Sequence, residues 1–188
     1  MQRRKFIKNA AAASTAFSIV PSFVMGKNHV APSDTLYIGA FGVGGRGAGV
    51  MNGLNDTGKV KFVTLCDVDD RRAADTYKKY PKAKRYKDFR EVYDKHLKEI
   101  DAIMVATPDH MHASIALPFM RAKKHAYVEK PLTHNINEAR LMTQVAKENG
   151  IVTQMGNQGA SSDGSREAKE WIDSGIIGKV QKVEIKES

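Results

Sequence analysis

The sequence predicts an α/β fold, a doubly wound parallel sheet, from three observations. Apolar, β-prone runs alternate with helix-compatible segments from Thr35 to Gln154, joined by short loops. One run, Ala102-Ile-Met-Val-Ala106, is apolar without a break, as a strand covered by helices on both faces requires. Between the first strand and the first helix lies Gly42-Val43-Gly44-Gly45-Arg46-Gly47. Right-handed crossovers between the strands then follow from strand twist.

Residues 1–33 read as an address and a linker rather than as part of the sheet. Arg3-Arg4-Lys5-Phe6-Ile7-Lys8 has the paired arginines, aromatic, aliphatic and lysine of a twin-arginine export signal. Asn9 to Val20 follows as a mildly apolar, alanine-rich stretch, too short for a stable membrane span, and Pro21 ends it. The expectation is export by the twin-arginine machinery to the periplasm or beyond, as a folded protein already holding any cofactor. A cut near Gly26 fits, and no cysteine is nearby to carry a lipid anchor.

Thr35 to Phe41 is the first strand, and the G-x-G-x-x-G run lets the chain turn tightly into a helix over Ala48 to Leu54. Free N–H groups and the positive dipole end at that helix start suit a pyrophosphate. Val60 to Cys66 is the second strand and ends at Asp67, twenty residues after Gly47, where a carboxylate accepts a ribose hydroxyl. The set is that of a Rossmann-type dinucleotide site. Asp67 favours NAD because a carboxylate repels a 2′-phosphate; Arg71 and Arg72 lie near enough to hold that phosphate, which leaves NADP open.

Helices are expected over Asp69 to Lys79 and Asp88 to Leu97, with the basic run between them read as a solvated helix end and loop. His110 to Ala122 reads as a helix despite Pro118, His125 to Val128 as a strand, and Ile136 to Asn149 as a helix stopped by Gly150. Ile151 to Gln154 closes the sheet, so residues 34–160 form the nucleotide-binding domain. In residues 161–188, Ser162 to Ser174 reads as a helix with Asp163 as a cap. Lys179 to Lys186 alternates with period two, the signature of a half-buried strand that would open another domain.

Composition narrows the function further. The formal charge of +9 falls to +5 once Arg3, Arg4, Lys5 and Lys8 are set aside, and no nucleic-acid motif accompanies the rest. The single cysteine, Cys66, excludes an intramolecular disulfide and a cysteine-based metal site. His110 and His112 lack a third ligand at metal-binding spacing, so no metal is expected.

Three further motifs complete the pattern. Ala106-Thr107-Pro108-Asp109-His110-Met111-His112 is similar to the T-P-[ND]-x-x-H turn of the Gfo/Idh/MocA oxidoreductases, Glu129-Lys130-Pro131 to their E-K-P signature, and Gly156-Asn157-Gln158-Gly159 to a loop of exported members. The chain thus resembles that family from Thr35 onward. The resemblance implies a Rossmann domain truncated before a second α/β domain, which supplies much of the substrate pocket and often the oligomer contact. It also implies a sugar or polyol substrate. Thr107, Pro108, His112, Glu129, Lys130, Asn157 and Gln158 would then contact the cofactor, with His112 in the pocket as a catalytic residue beside Lys130, which would take or hold the substrate's hydroxyl proton. Exported members carry a histidine where this chain has Ala160. Two alternatives stand beside a dehydrogenase: glycoside hydrolysis through transient oxidation on bound NAD, and a nucleotide-binding fragment without turnover.

Overall fold

Six parallel strands form one sheet in the order β3-β2-β1-β4-β5-β6 in this computed structural model, which describes residues 32–184. The strands are β1 (Leu36–Phe41), β2 (Val60–Cys66), β3 (Lys84–Tyr86), β4 (Ala102–Val105), β5 (His125–Glu129) and β6 (Thr153–Gly156). The helices are α1 (Arg46–Asp56), α2 (Asp70–Lys79), α3 (Phe89–His96), α4 (Asp109–Arg121), α5 (Ile136–Asn149) and α6 (Asp163–Asp173). The paired-arginine segment lies outside the described residues. No described helix is long and apolar enough to cross a membrane.

Strand alternation builds two cores, one on each face of the sheet. Ile38 and Ala40 of β1 and Met104 of β4 pack with Val50, Met51, Ala73 and Tyr77 of α1 and α2. Phe41, Ile103 and Val105 pack on the other face with Val92, Phe119, Met142 and Val145 of α3, α4 and α5. All four β4 side chains are buried, as its unbroken apolar run requires. Burying a large apolar side chain stabilises by roughly 1.5–3 kcal/mol, so β4 is the spine of the domain.

Caps fix where the helices begin. Asp69 accepts from the N–H groups of Arg71 and Arg72, Asp88 from that of Arg90, and Asn135 from that of Glu138. Gly150, at φ 62°, ends α5 in the left-handed region that glycine adopts without strain. Pro118 sits inside α4 without ending it; the carbonyl one turn earlier belongs to Ser114, which is exposed and open to water.

Three expectations need correction. The basic run does not stay a loop, because Lys84–Tyr86 adds β3 to the edge of β2. Two of its charges are partnered there: Arg85 stacks on the Tyr77 ring at 4.8 Å, and Lys87 pairs with Asp70 at 2.7 Å. Ser162 rather than Asp163 caps α6, accepting from the Ser165 N–H at 3.3 Å. Finally, Lys179 to Glu184 form no strand despite their alternation. A strand needs a neighbour for its N–H and C=O groups, and none runs beside this segment among the described residues.

Candidate functional site

The glycine turn is fixed by space on three sides. A side chain at Gly42, where φ is 73°, would meet the Ala106 backbone at 2.6 Å; one at Gly44 would meet the Arg72 carbonyl at 2.9 Å. At Gly47 a Cβ would stand 1.7 Å from the Gly42 carbonyl oxygen. Only glycine fits these positions, because the turn is pressed between the end of β4, the start of α2 and itself. Gly45, at φ 51°, precedes α1 and makes no side-chain cap, so the first turn of that helix stays open at its end.

Asp67 has a second task beyond the one its spacing suggests. Its Oδ2 accepts from the Val43 and Gly44 N–H groups at 2.9 and 3.0 Å, and its Oδ1 from Asp69 N–H at 3.0 Å. The carboxylate therefore shapes the glycine turn. With about four acceptor positions, it keeps room for one hydroxyl. Thr76 Oγ1 donates to the Val43 carbonyl at 2.7 Å and holds the turn from the other side.

Between these groups lies a cleft of about 660 Å³ at the C-terminal ends of β1, β2 and β4. It crosses the point where the strand order reverses, the usual ligand position in open α/β sheets. Gly42, Gly44, Arg46, Asp67, Thr107 and Pro108 line it. The buried Thr107 Oγ1 has no hydrogen-bond partner among the described residues. An open helix start, a cradle that a Cβ would fill, an acid beside it and an unsatisfied hydroxyl fit a dinucleotide. A second hollow, of about 420 Å³, lies at the opposite ends of β1 and β5. Its Asp101 and His125 are already engaged by the Tyr37 and Val152 N–H groups, so it offers no comparable set.

Arg71 is not brought to the cleft. Its side chain is 93% exposed and lies 3.5 Å from Asp69, whereas Arg72 lines the cleft. Adjacent helical residues point about 100° apart, which separates the two arginines. Lys87 and Phe89 also line the cleft and were not anticipated; their signal was proximity to β3, a strand of three residues.

His112 takes a different post from the pocket role expected of it. The ring is wholly buried in α4, with Nδ1 2.8 Å from the Pro131 carbonyl oxygen and Nε2 2.8 Å from that of Thr107. It staples the T-P turn to the E-K-P segment instead of facing a ligand. His110, two residues earlier, does line the cleft, so the pair cannot share a metal. No group of three potential metal ligands occurs among the described residues.

Glu129 ends β5 with its carboxylate buried, while Lys130 emerges exposed, joined to Pro131 by a cis peptide bond. The Lys130 ammonium has no hydrogen-bond or ion-pair partner among the described residues. Glu129 pairs in register with Gly156, so Lys130 and Asn157 leave the sheet side by side, and Gln158 opens the short 3-10 turn that follows. Neither Asn157 nor Gln158 lines the cleft itself. Burial first, then the Asp67 charge, pushes the Cys66 thiol up to about 12, which keeps it protonated and inert.

Comparison with known proteins places this geometry. Residues 36–157 match the family model described as an oxidoreductase family with an NAD-binding Rossmann fold. Inositol 2-dehydrogenase of Salmonella typhimurium is 28% identical over 148 residues, covering 77% of this chain and 44% of that enzyme. A glycosyl hydrolase family 109 protein of Shewanella pealeana is 30% identical over 121 residues, 61% of this chain and 26% of that protein. The crystal structure of myo-inositol 2-dehydrogenase from Lactobacillus plantarum superposes with a TM-score of 0.67 at 27% identity, over 78% of this chain and 43% of that one. The chain spans less than half the length of these relatives.

Proposed function

This chain belongs to the Gfo/Idh/MocA oxidoreductase family, and from that membership we propose that it is the nicotinamide-binding part of an enzyme oxidising a hydroxyl of a sugar or polyol. The observation that carries the reading is the cleft: the space-restricted Gly42 and Gly44, the Asp67 carboxylate and the T-P turn line one cavity at the strand ends. Bound there, NAD would supply the hydride acceptor.

The residues of the chain divide the remaining work. The Gly42–Gly47 turn and the start of α1 receive the pyrophosphate, and Asp67 accepts a ribose hydroxyl while disfavouring a 2′-phosphate. Thr107 Oγ1 has a hydrogen bond to give. Lys130, exposed just after β5 and without an ion-pair partner among the described residues, would hold a substrate hydroxyl or accept its proton. The substrate's other contacts belong to the part of the relatives that this chain does not span. We also propose that the protein is exported with its cofactor bound, on the strength of the Arg3-Arg4 motif.

Calorimetric titration of the chain with NAD⁺, NADP⁺ and ADP-ribose tests the reading. Saturable NAD⁺ binding, with NADP⁺ weaker by about tenfold or 1.4 kcal/mol, is expected. A chain that binds none of the three would remove it. In a form long enough to turn over, Lys130→Met should keep NAD⁺ affinity and lose hydride transfer; unchanged turnover would take Lys130 out of the mechanism.

A further inference from the structure

Glu129 is a buried carboxylate, its side chain 5% exposed, and such a charge requires a partner. The cation at ion-pair distance comes from 83 positions earlier in the chain: Arg46 Nε lies 3.2 Å from Glu129 Oε1. Arg46 is the first residue of α1, so the contact reaches from the phosphate turn across β4 to the end of β5. The rest of the carboxylate is also engaged. Tyr127 O–H donates to Oε1 at 3.4 Å, and the Lys130 N–H donates to Oε2 at 3.3 Å. Opposite them Gly156 leaves the necessary space, since a Cβ there would lie 2.5 Å from both Glu129 Oε1 and the Tyr127 hydroxyl.

Resting on the nicotinamide reading above, we propose that Arg46 is a positioning residue, acting through Glu129 to hold the Lys130 peptide in fixed register with the pyrophosphate turn. Arg46 is 47% exposed at its side chain and lines the cleft, whereas Glu129 does not reach it. The arginine therefore joins a ligand-facing surface to a buried anchor. The two ends of a dinucleotide would be measured against each other by this pair: pyrophosphate over α1, nicotinamide beside Lys130. A ligand that carries both ends benefits from the fixed spacing, and ADP-ribose, which lacks the nicotinamide, does not.

Binding of NAD⁺ and of ADP-ribose to the chain, measured calorimetrically in parallel, tests this. Arg46→Met and Glu129→Gln should each lower the preference for NAD⁺ over ADP-ribose by about tenfold, and the double variant should lose no more than either alone. Arg46→Lys should recover part of the preference by restoring the charge without the planar fork. Gly156→Ser displaces the carboxylate from the opposite side with both charges kept, and should show the same loss. Melting temperatures taken alongside separate this change of ratio from a general loss of folding. If NAD⁺ and ADP-ribose weaken by the same factor, or the single losses add in the double variant, the inference fails. A wild-type chain that binds neither ligand would instead overturn the nicotinamide reading beneath it.

Discussion

At the scale of single residues, the site depends on atoms with no freedom to move. Gly47→Ala places a methyl 1.7 Å from the Gly42 carbonyl oxygen, and the neighbour is backbone rather than a yielding side chain. The variant should lose about 3 kcal/mol or more in urea unfolding and lose NAD⁺ binding in titration. His112→Leu removes the buried ring that bridges the Thr107 and Pro131 carbonyls, so unfolding should become easier by roughly 1–3 kcal/mol. The glycine and the acid were legible from sequence because their chemistry depends on spacing along the chain. His112 was not: its role depends on two carbonyls, 5 and 19 positions away in sequence, that only the folded turn brings to its ring. Arg71 and Arg72 differ in the same way, since sequence proximity to a ligand does not say which side of a helix turn faces it.

At the scale of elements, apolar periodicity identified β1, β2, β4, β5 and the helices between them, because each buries a patterned face. The three-residue β3 carried no such pattern. Lysine and arginine dominate it, as suits the edge of a sheet, where charges discourage pairing with another chain. Lys179 to Glu184 is the converse case, a periodic segment with no strand to pair with among the described residues. Caps give these elements their measurable energies. Asn135→Ala removes the acceptor for the Glu138 N–H and should lower stability by about 1 kcal/mol in thermal unfolding. Phe119→Ala should cost far more, about 3–5 kcal/mol, since its ring packs on both Phe41 and Tyr93 in the core.

At the scale of the whole molecule, stability should fall on the alkaline side. Burial pushes both the Cys66 thiol and the Tyr77 phenol up to about 12, from 9.0 and 10.0. The folded chain then holds protons that the unfolded chain releases, so stability is full below about pH 9 and declines as pH rises toward 12. On the acid side, Asp69 and Asp88 have lowered pKa values, Asp69 chiefly through the backbone N–H of Arg71 and Asp88 through the Arg90 side chain. Their contribution is present above the ordinary carboxylate range and is lost as pH falls through the lowered values. Urea midpoints measured from pH 7 to pH 11 should therefore decrease, and a flat profile would contradict the burial of both groups.

The packing of Gly42 against Ala106 has a consequence for the order of assembly. The glycine turn is complete only when β4, some sixty residues later, has closed against it. During synthesis the β1-α1-β2 segment emerges first, yet it lacks the wall that gives its turn a shape. Capture of the nucleotide must then come late in folding, after β4 joins the sheet. A nascent chain stopped at residue 100 should be unable to retain NAD⁺, and one that includes β4 should acquire that ability. The cofactor would act as a seal on a finished sheet rather than as a seed for its formation.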